Sequence, residues 1–377
     1  MRMRPSTRRA CLAAAASGAL ALTAACGSDN AVRGNNPIPV PDDLSCFEGT
    51  LDGAGSSAQE NAMTTWIAGY QTACQDSLVF YDAIGSGGGR SQFLDSAVAF
   101  AGTDAALDPK EHEEAVARCD SSAAVNIPAY VVPIAVVFSL EGVDELDLSP
   151  DTIAGIFKGD ITRWDAPEIA EDNPDADLPD KRITPVSRSD ESGTTENFTE
   201  YLHSAAPDVW TYEPGGQWPL PPVEAAQGNS GIAEAVEGGN GTIGYVEASH
   251  VGHMSAARVG VGEEFVELAP ESAAKVVAEA PRREGSGRYD YALELDYGTT
   301  ESGVYPIVLV SYQVACLDYE DPDQGERVRD FLSYVISPEG QQAASDETGS
   351  APLPEDIRSD LQTTLNAINT GAGRTSD

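Results

Sequence analysis

Ser187-Arg188-Ser189-Asp190-Glu191-Ser192-Gly193-Thr194-Thr195-Glu196-Asn197 is the stretch from which the fold is read. Pro185 and Val186 enter it as from a strand, and Phe198, Tyr201 and Leu202 leave it at helical spacing, so it forms a strand-to-helix turn. The first N–H groups of a helix have no partner inside the helix and carry the positive end of its dipole, which suits an anion. Ser192 and Thr194 add hydroxyl donors, Gly193 removes the Cβ that would block close approach, and Arg188 brings a planar fork suited to a tetrahedral oxyanion. Asp190 is placed to hold that fork. Taken alone, the same residues also describe an ordinary helix N-terminus beside a surface arginine.

The plan recurs upstream. A strand at Gly49 to Leu51 leads into Gly53-Ala54-Gly55-Ser56-Ser57-Ala58-Gln59-Glu60, and Met63, Trp66, Ile67 and Tyr70 then mark a helix face. Ser57 and Glu60 have the spacing of a capping box, which leaves the Ser57 hydroxyl able to donate to a ligand. Next, Leu78 to Tyr81 is a strand, Gly85-Ser86-Gly87-Gly88-Gly89-Arg90 a glycine-rich turn, and Phe93, Leu94 and Val98 a helix. The Lys and Ser/Thr of a Walker loop are missing, and the helix does not suit a dinucleotide fingerprint. Ala99 to Asp104 reads as a third strand ending in a carboxylate, and Asp108, Pro109 and Glu111 open a further helix. In α/β sheets ligands gather at the carboxyl ends of strands, where such turns converge.

A length of 377 residues implies two domains. Tyr130 to Phe138 and Tyr305 to Cys316 are the two long apolar strands; between them lie a helix opened by Ser149 and Pro150, the central turn, and a strand at Gly241 to Val246. Helices are expected at 324–337 and 354–369. The pattern is that of one domain inserted in another, 136–306 within 46–135 plus 307–377, with a cleft between them and two crossing strands.

Arg2, Arg4, Arg8 and Arg9, an apolar run from Cys11 to Leu22 and Thr23-Ala24-Ala25-Cys26 read as an export signal over 1–25. The small residues before Cys26 resemble a bacterial lipobox, which implies a diacylglycerol on Cys26 and anchorage at the outer face of the cell membrane. Residues 26–45, rich in Asn and Pro, read as a tether. Removing the four arginines of the leader from the 22 basic residues leaves 18 against 61 acids, a charge of −43. Such a surface favours a soluble monomer and disfavours nucleic acid and anionic lipid as partners. An oxyanion site here must therefore work through short-range donors. Cys46, Cys74, Cys119 and Cys316 form an even set in an oxidising compartment, and loop length favours pairing Cys74 with Cys119 and Cys46 with Cys316. No CxxC spacing points to a metal.

Taken together, Gly53 to Ser57, Gly85 to Gly88, Ala101 to Ala105, Arg188 to Thr194 and Gly241 to Glu247 resemble, in order, segments of the phosphate-binding proteins of bacterial phosphate ABC transporters. The resemblance spans roughly residues 46–370. It implies a two-domain periplasmic-binding-protein-like fold of type II, no cofactor, inorganic phosphate as ligand and a membrane permease as partner. The ligand set it implies is Ser57, the Ala58 amide, Ser86, Asp104, Arg188, Ser192, the Gly193 amide and Thr194. Asp104 would accept a proton carried by phosphate and repel sulfate, which has none near neutral pH. Two other readings compete: an exported phosphoester hydrolase, for which His112, His203, His250 and His253 supply imidazoles but no GxSxG elbow, and a surface adhesin or signalling protein on the same fold.

Overall fold

The computed structural model describes residues 37–278 and 280–373. The export signal and Cys26 lie outside the described residues. In chain order the elements are β1 (Gly49–Gly55), α1 (Glu60–Ala73), β2 (Ser77–Asp82), α2 (Ser86–Leu94), β3 (Phe100–Thr103), α3 (Pro109–Arg118), β4 (Ala124–Ser139) and β5 (Asp147–Leu148). There follow α4 (Pro150–Lys158), α5 (Pro167–Asp172), β6 (Thr184–Arg188), α6 (Gly193–Ala205), β7 (Glu224–Ala226), α7 (Gly228–Glu237), β8 (Thr242–Glu247), β9 (Ser255–Ala256), β10 (Arg258–Val261) and β11 (Glu264–Val266). The chain ends with α8 (Pro270–Ala278), β12 (Val308–Cys316), α9 (Pro322–Val335), α10 (Pro338–Thr348) and α11 (Glu355–Asn366).

One sheet runs β2-β1-β3-β12-β4-β8-β6-β7, with β9 also paired to β4. Strand-helix alternation makes β1, β2 and β3 parallel neighbours, and likewise β6, β7 and β8, because a crossover helix returns the chain to the same end of the sheet. The two apolar strands foreseen from sequence are β4 and β12, antiparallel and buried almost throughout. β4 changes partner along its length: Ala124 to Pro133 pair with β12, and Ile134 to Ser139 with β8. The stretch from Arg283 to Leu293 packs back on these strands, through the Tyr291 amide to the Asn126 carbonyl at 3.0 Å and the Leu293 amide to Tyr312 Oη at 3.1 Å.

Four sequence expectations change. The disulfides are Cys46–Cys74 and Cys119–Cys316, not the reverse pairing. β1 and β2 are adjacent parallel strands, so Cys46 before β1 meets Cys74 at the end of α1, while the start of β4 and the end of β12 lie side by side and bring Cys119 to Cys316. The Ser57–Glu60 capping box does not form: α1 starts at Glu60 with Gln59 at its cap, and the local hydroxyl bond is from the Ala58 amide to Ser56 Oγ at 3.0 Å. The glycine run 86–89 is the first turn of α2 itself. Finally, the expected tether is docked from Ile38 onward: Val40 and Leu44 pack on the core, and the carbonyls of Pro39 and Ser45 accept from Tyr334 at 3.1 Å and Tyr70 at 2.8 Å. The helix α10 was not foreseen; Ser337 caps it and Pro338 opens it.

Candidate anion site

The carboxyl ends of β1, β3 and β6 and the N-termini of α2, α6 and α7 converge, and the side chains they carry are nearly all removed from water. At β6, Arg188 is 3% exposed. Its Nε donates to Asp190 Oδ1 at 2.8 Å and its Nη2 to Asp190 Oδ2 at 2.5 Å, a bidentate pair that fixes the plane of the guanidinium. Nη2 also donates to Ser57 Oγ at 3.1 Å. The opposite edge of the fork carries Nη1, a buried donor with no hydrogen-bond partner. An uncompensated buried cationic N–H is costly, so its presence marks where an anion belongs. Burial alone would push the Asp190 carboxyl up, but Arg188 and the Gly228 amide pull it below the usual carboxylate range, so it stays ionised behind the fork.

The hydroxyls come from the same strand ends and helix N-termini. Ser57 Oγ accepts from the Asn229 amide at 3.2 Å and from Asn229 Nδ2 at 3.1 Å, and the same Nδ2 lies 3.3 Å from Thr194 Oγ1. Ser192 caps α6, its Oγ accepting from the Thr195 amide at 3.2 Å, which leaves its O–H proton to donate elsewhere. Ser86 Oγ accepts from the Asp104 amide at 3.1 Å and lies 3.3 Å from Asp104 Oδ2. Gly193 closes the ring: a Cβ there would fall 2.6 Å from both Asp104 Cβ and Ser86 Oγ. Gly55 serves the backbone beneath, where a Cβ would stand 1.9 Å from the Gly102 carbonyl oxygen.

Asp104 does not cap a helix; Asp108 caps α3. Its Oδ1 accepts from Ser56 at 2.5 Å and Ser311 at 2.6 Å. Burial pushes the carboxyl up, and these two hydroxyls, the Arg188 charge and Ser86 pull it back.

All eight residues named from sequence thus fall in one region, with one qualification: the Ala58 amide is already donated to Ser56. Sequence reasoning missed Ser56, Asn229 and Ser311. Asn229 follows Gln227-Gly228 at another strand-to-helix turn, a signal that was available; Ser311 lies inside an apolar strand and gave only the faint signal of a polar residue in a buried run.

Residues 40–339 match the family described as PBP superfamily domain. Phosphate-binding protein PstS 3 of Mycobacterium tuberculosis (strain ATCC 25618 / H37Rv) is 37% identical over 362 residues, 94% of this chain and 96% of the relative. The chain belongs to the PstS family. Phosphate-binding protein PstS 2 of the same strain is 35% identical over 363 residues, again 94% and 96% of the two chains. Among solved structures, a periplasmic phosphate-binding protein (PfluDING) bound with phosphate aligns over 84% of this chain and 93% of its own, with a TM-score of 0.67 and 22% identity. Phosphate-binding protein from Stenotrophomonas maltophilia aligns with a TM-score of 0.66 and 23% identity over the same shares. These likenesses give the PstS-family chain its fold: mixed α/β, of the two-domain type II binding-protein kind. Among the described residues no group of three His, Cys, Asp or Glu is placed to hold a metal, and no helix is long and apolar enough to cross a membrane.

Proposed function

We propose that this chain is an extracytoplasmic receptor that binds inorganic phosphate between two lobes and delivers it to the permease of an ABC transporter. The observation that carries this reading is Arg188 Nη1, a buried guanidinium donor without a partner, on a side chain whose Nη2 meets the hydroxyl of Ser57. Ala58, Gly193 and Asp104 complete the proposed ligand set, the Gly193 amide acting as a helix N-terminal donor and Asp104 as acceptor for the proton of phosphate. The names of the PstS relatives support the same ligand.

The lobes are assigned to 46–135 with 307–377 and to 136–306; the change of partner along β4 supports that division, although residues 283–293 pack on Asn126 and Tyr312 of the first lobe. A diacylglycerol on Cys26 would hold the monomeric receptor at the outer membrane face, beside the permease. Metabolic labelling with palmitate tests this, since a Cys26→Ser chain would carry no label and be released.

The receptor acts without bond cleavage. Ser249, His250 and Glu247 do not make a triad, because Ser249 Oγ at 3.5 Å and Glu247 Oε2 at 3.0 Å approach the same ring nitrogen, Nδ1 of His250. Titration calorimetry of the mature chain tests the reading. Phosphate and arsenate should bind with similar affinity and sulfate about a hundredfold more weakly, the difference of one unmatched charged contact; a chromogenic phosphoester should not turn over. Equal binding of sulfate and phosphate, or phosphoester turnover, would overturn it.

A further inference from the structure

Behind Asp104 a chain of polar side chains runs from Ser311 into the interior. Gln313 and Ser311 are two residues apart on β12 and so face the same side of the sheet, toward Gln59 at the start of α1; all three are fully buried. Gln313 Nε2 donates to Gln59 Oε1 at 2.5 Å, Gln59 Nε2 to Ser311 Oγ at 2.9 Å, and Ser311 Oγ to Asp104 Oδ1 at 2.6 Å. The register of β12 against β4 shifts between Ser311 and Tyr312, where β4 carries one extra residue, Ala129, so β12 itself keeps its alternation.

An ionised Asp104 at its end gives this chain one polarity. A serine hydroxyl has one proton. With the Gln59 amide donating into Ser311 Oγ, that proton goes to Asp104. Ser56 meets the same oxygen at 2.5 Å, and the Ala58 amide, donating into Ser56 Oγ at 3.0 Å, directs its proton the same way. Two hydroxyls on one carboxylate oxygen leave no room for a proton there.

We propose that Gln313, Gln59 and Ser311 are positioning residues for specificity: they hold Asp104 as a pure hydrogen-bond acceptor, so that Oδ2 takes only an oxyanion that brings its own proton. This rests on the phosphate reading above and adds to it the groups that keep the discrimination working in acid. The charged and titratable groups facing Asp104 are Arg188 from β6, Tyr81 from β2 and Tyr297 from the segment before β12. Both tyrosines are pushed well up, burial first, and stay neutral, so only Arg188 adds charge. Without the Ser311 donor the carboxyl titrates at higher pH. Once protonated, it donates a hydrogen bond and accepts a proton-free anion such as sulfate.

The test is calorimetry with inorganic phosphate and sulfate from pH 8 to pH 5 on the mature chain and on Ser311→Ala and Ser311→Thr, with Gln59→Met as a second route to the same defect. The wild type should keep its phosphate-to-sulfate ratio within about threefold across this range, and Ser311→Thr, which retains the hydroxyl, should follow it. The ratio of Ser311→Ala and Gln59→Met should fall about tenfold further than that of the wild type between pH 8 and pH 5, because the carboxyl titrates at higher pH without its donor. A ratio in both variants that tracks the wild type at every pH would overturn the role of the chain while leaving phosphate binding intact; a wild type that binds no phosphate would overturn both readings.

Discussion

Nη2 of Arg188 stands 3.1 Å from the hydroxyl of Ser57, although 131 positions of sequence separate the two residues. One comes from the turn after β1 and the other from the end of β6, on opposite sides of the β4–β12 pair. Both are 3% exposed, so the contact is made where a charged donor gains most from a partner and loses most without one.

Replacing Arg188 by Met removes the donor edge on which the proposed site depends. Phosphate affinity should fall by about a hundredfold, or about 2.7 kcal/mol, the scale of charge-assisted hydrogen bonds lost from a dry site. Calorimetry on a variant with an unchanged circular dichroism spectrum checks it, and a loss under about threefold would count against Arg188 as a ligand donor.

Gly193→Ala tests close approach separately from charge. Gly193 opens α6, and an added Cβ there, 2.6 Å from Ser86 Oγ and Asp104 Cβ, should hold the helix away from both. The expected result is a lower melting temperature without phosphate and a much smaller upward shift on adding it. A shift as large as the wild type's would count against close approach at Gly193.

The two disulfides should differ in accessibility and in their contribution to stability. Cys46 is exposed, whereas Cys119 and Cys316 are fully buried. Mild reductant followed by alkylation and mass mapping should label Cys46 and Cys74 first. Replacing Cys119 and Cys316 by Ala should lower stability by about 5 kcal/mol and the other pair by about 3.5, because the crosslinks span 197 and 28 residues of the unfolded chain. Urea melts of the two double variants decide it; equal losses would point to a native-state cause instead of loop closure.

Acid should weaken the fold through Asp190. Its carboxyl is depressed in the folded state, so its contribution is present above the unfolded value of about 3.9 and is lost as pH falls through the folded value. Asp104 and Glu196 act in the opposite sense: both are raised, burial being the main cause, so their contribution is present at low pH and fades as pH rises through the folded values. The urea midpoint of the wild type should therefore drop as pH falls below about 4, and Asp190→Asn should flatten that limb. A variant whose low-pH limb is as steep as the wild type's would assign the acid sensitivity to other carboxylates.

Much of this architecture is local and was therefore legible in sequence. Strand-to-helix turns at Ser57, Ser86 and Ser192, the cap at Asp108 and the apolar runs of β4 and β12 are decided by residues within a few positions of one another, through backbone conformation, capping and hydrophobic period. Arg188 and Asp190 likewise pair at a separation of two. The cap at Gln59 was misread because Ser56, one residue earlier than the obvious candidate, turns its hydroxyl to Asp104 across 48 positions.

What only the tertiary structure decided is everything that depends on which strands become neighbours. Cys46 could be matched to Cys74 only once β1 and β2 were known to lie side by side, and Cys119 to Cys316 only once β12 was laid against β4. Asn229 reaches Ser57 over 172 positions, and Ser311 reaches Asp104 over 207. A residue type states what bonds a side chain can make; packing of distant segments into one dry interior selects which of them are made, because burial penalises every polar group that is left without its partner.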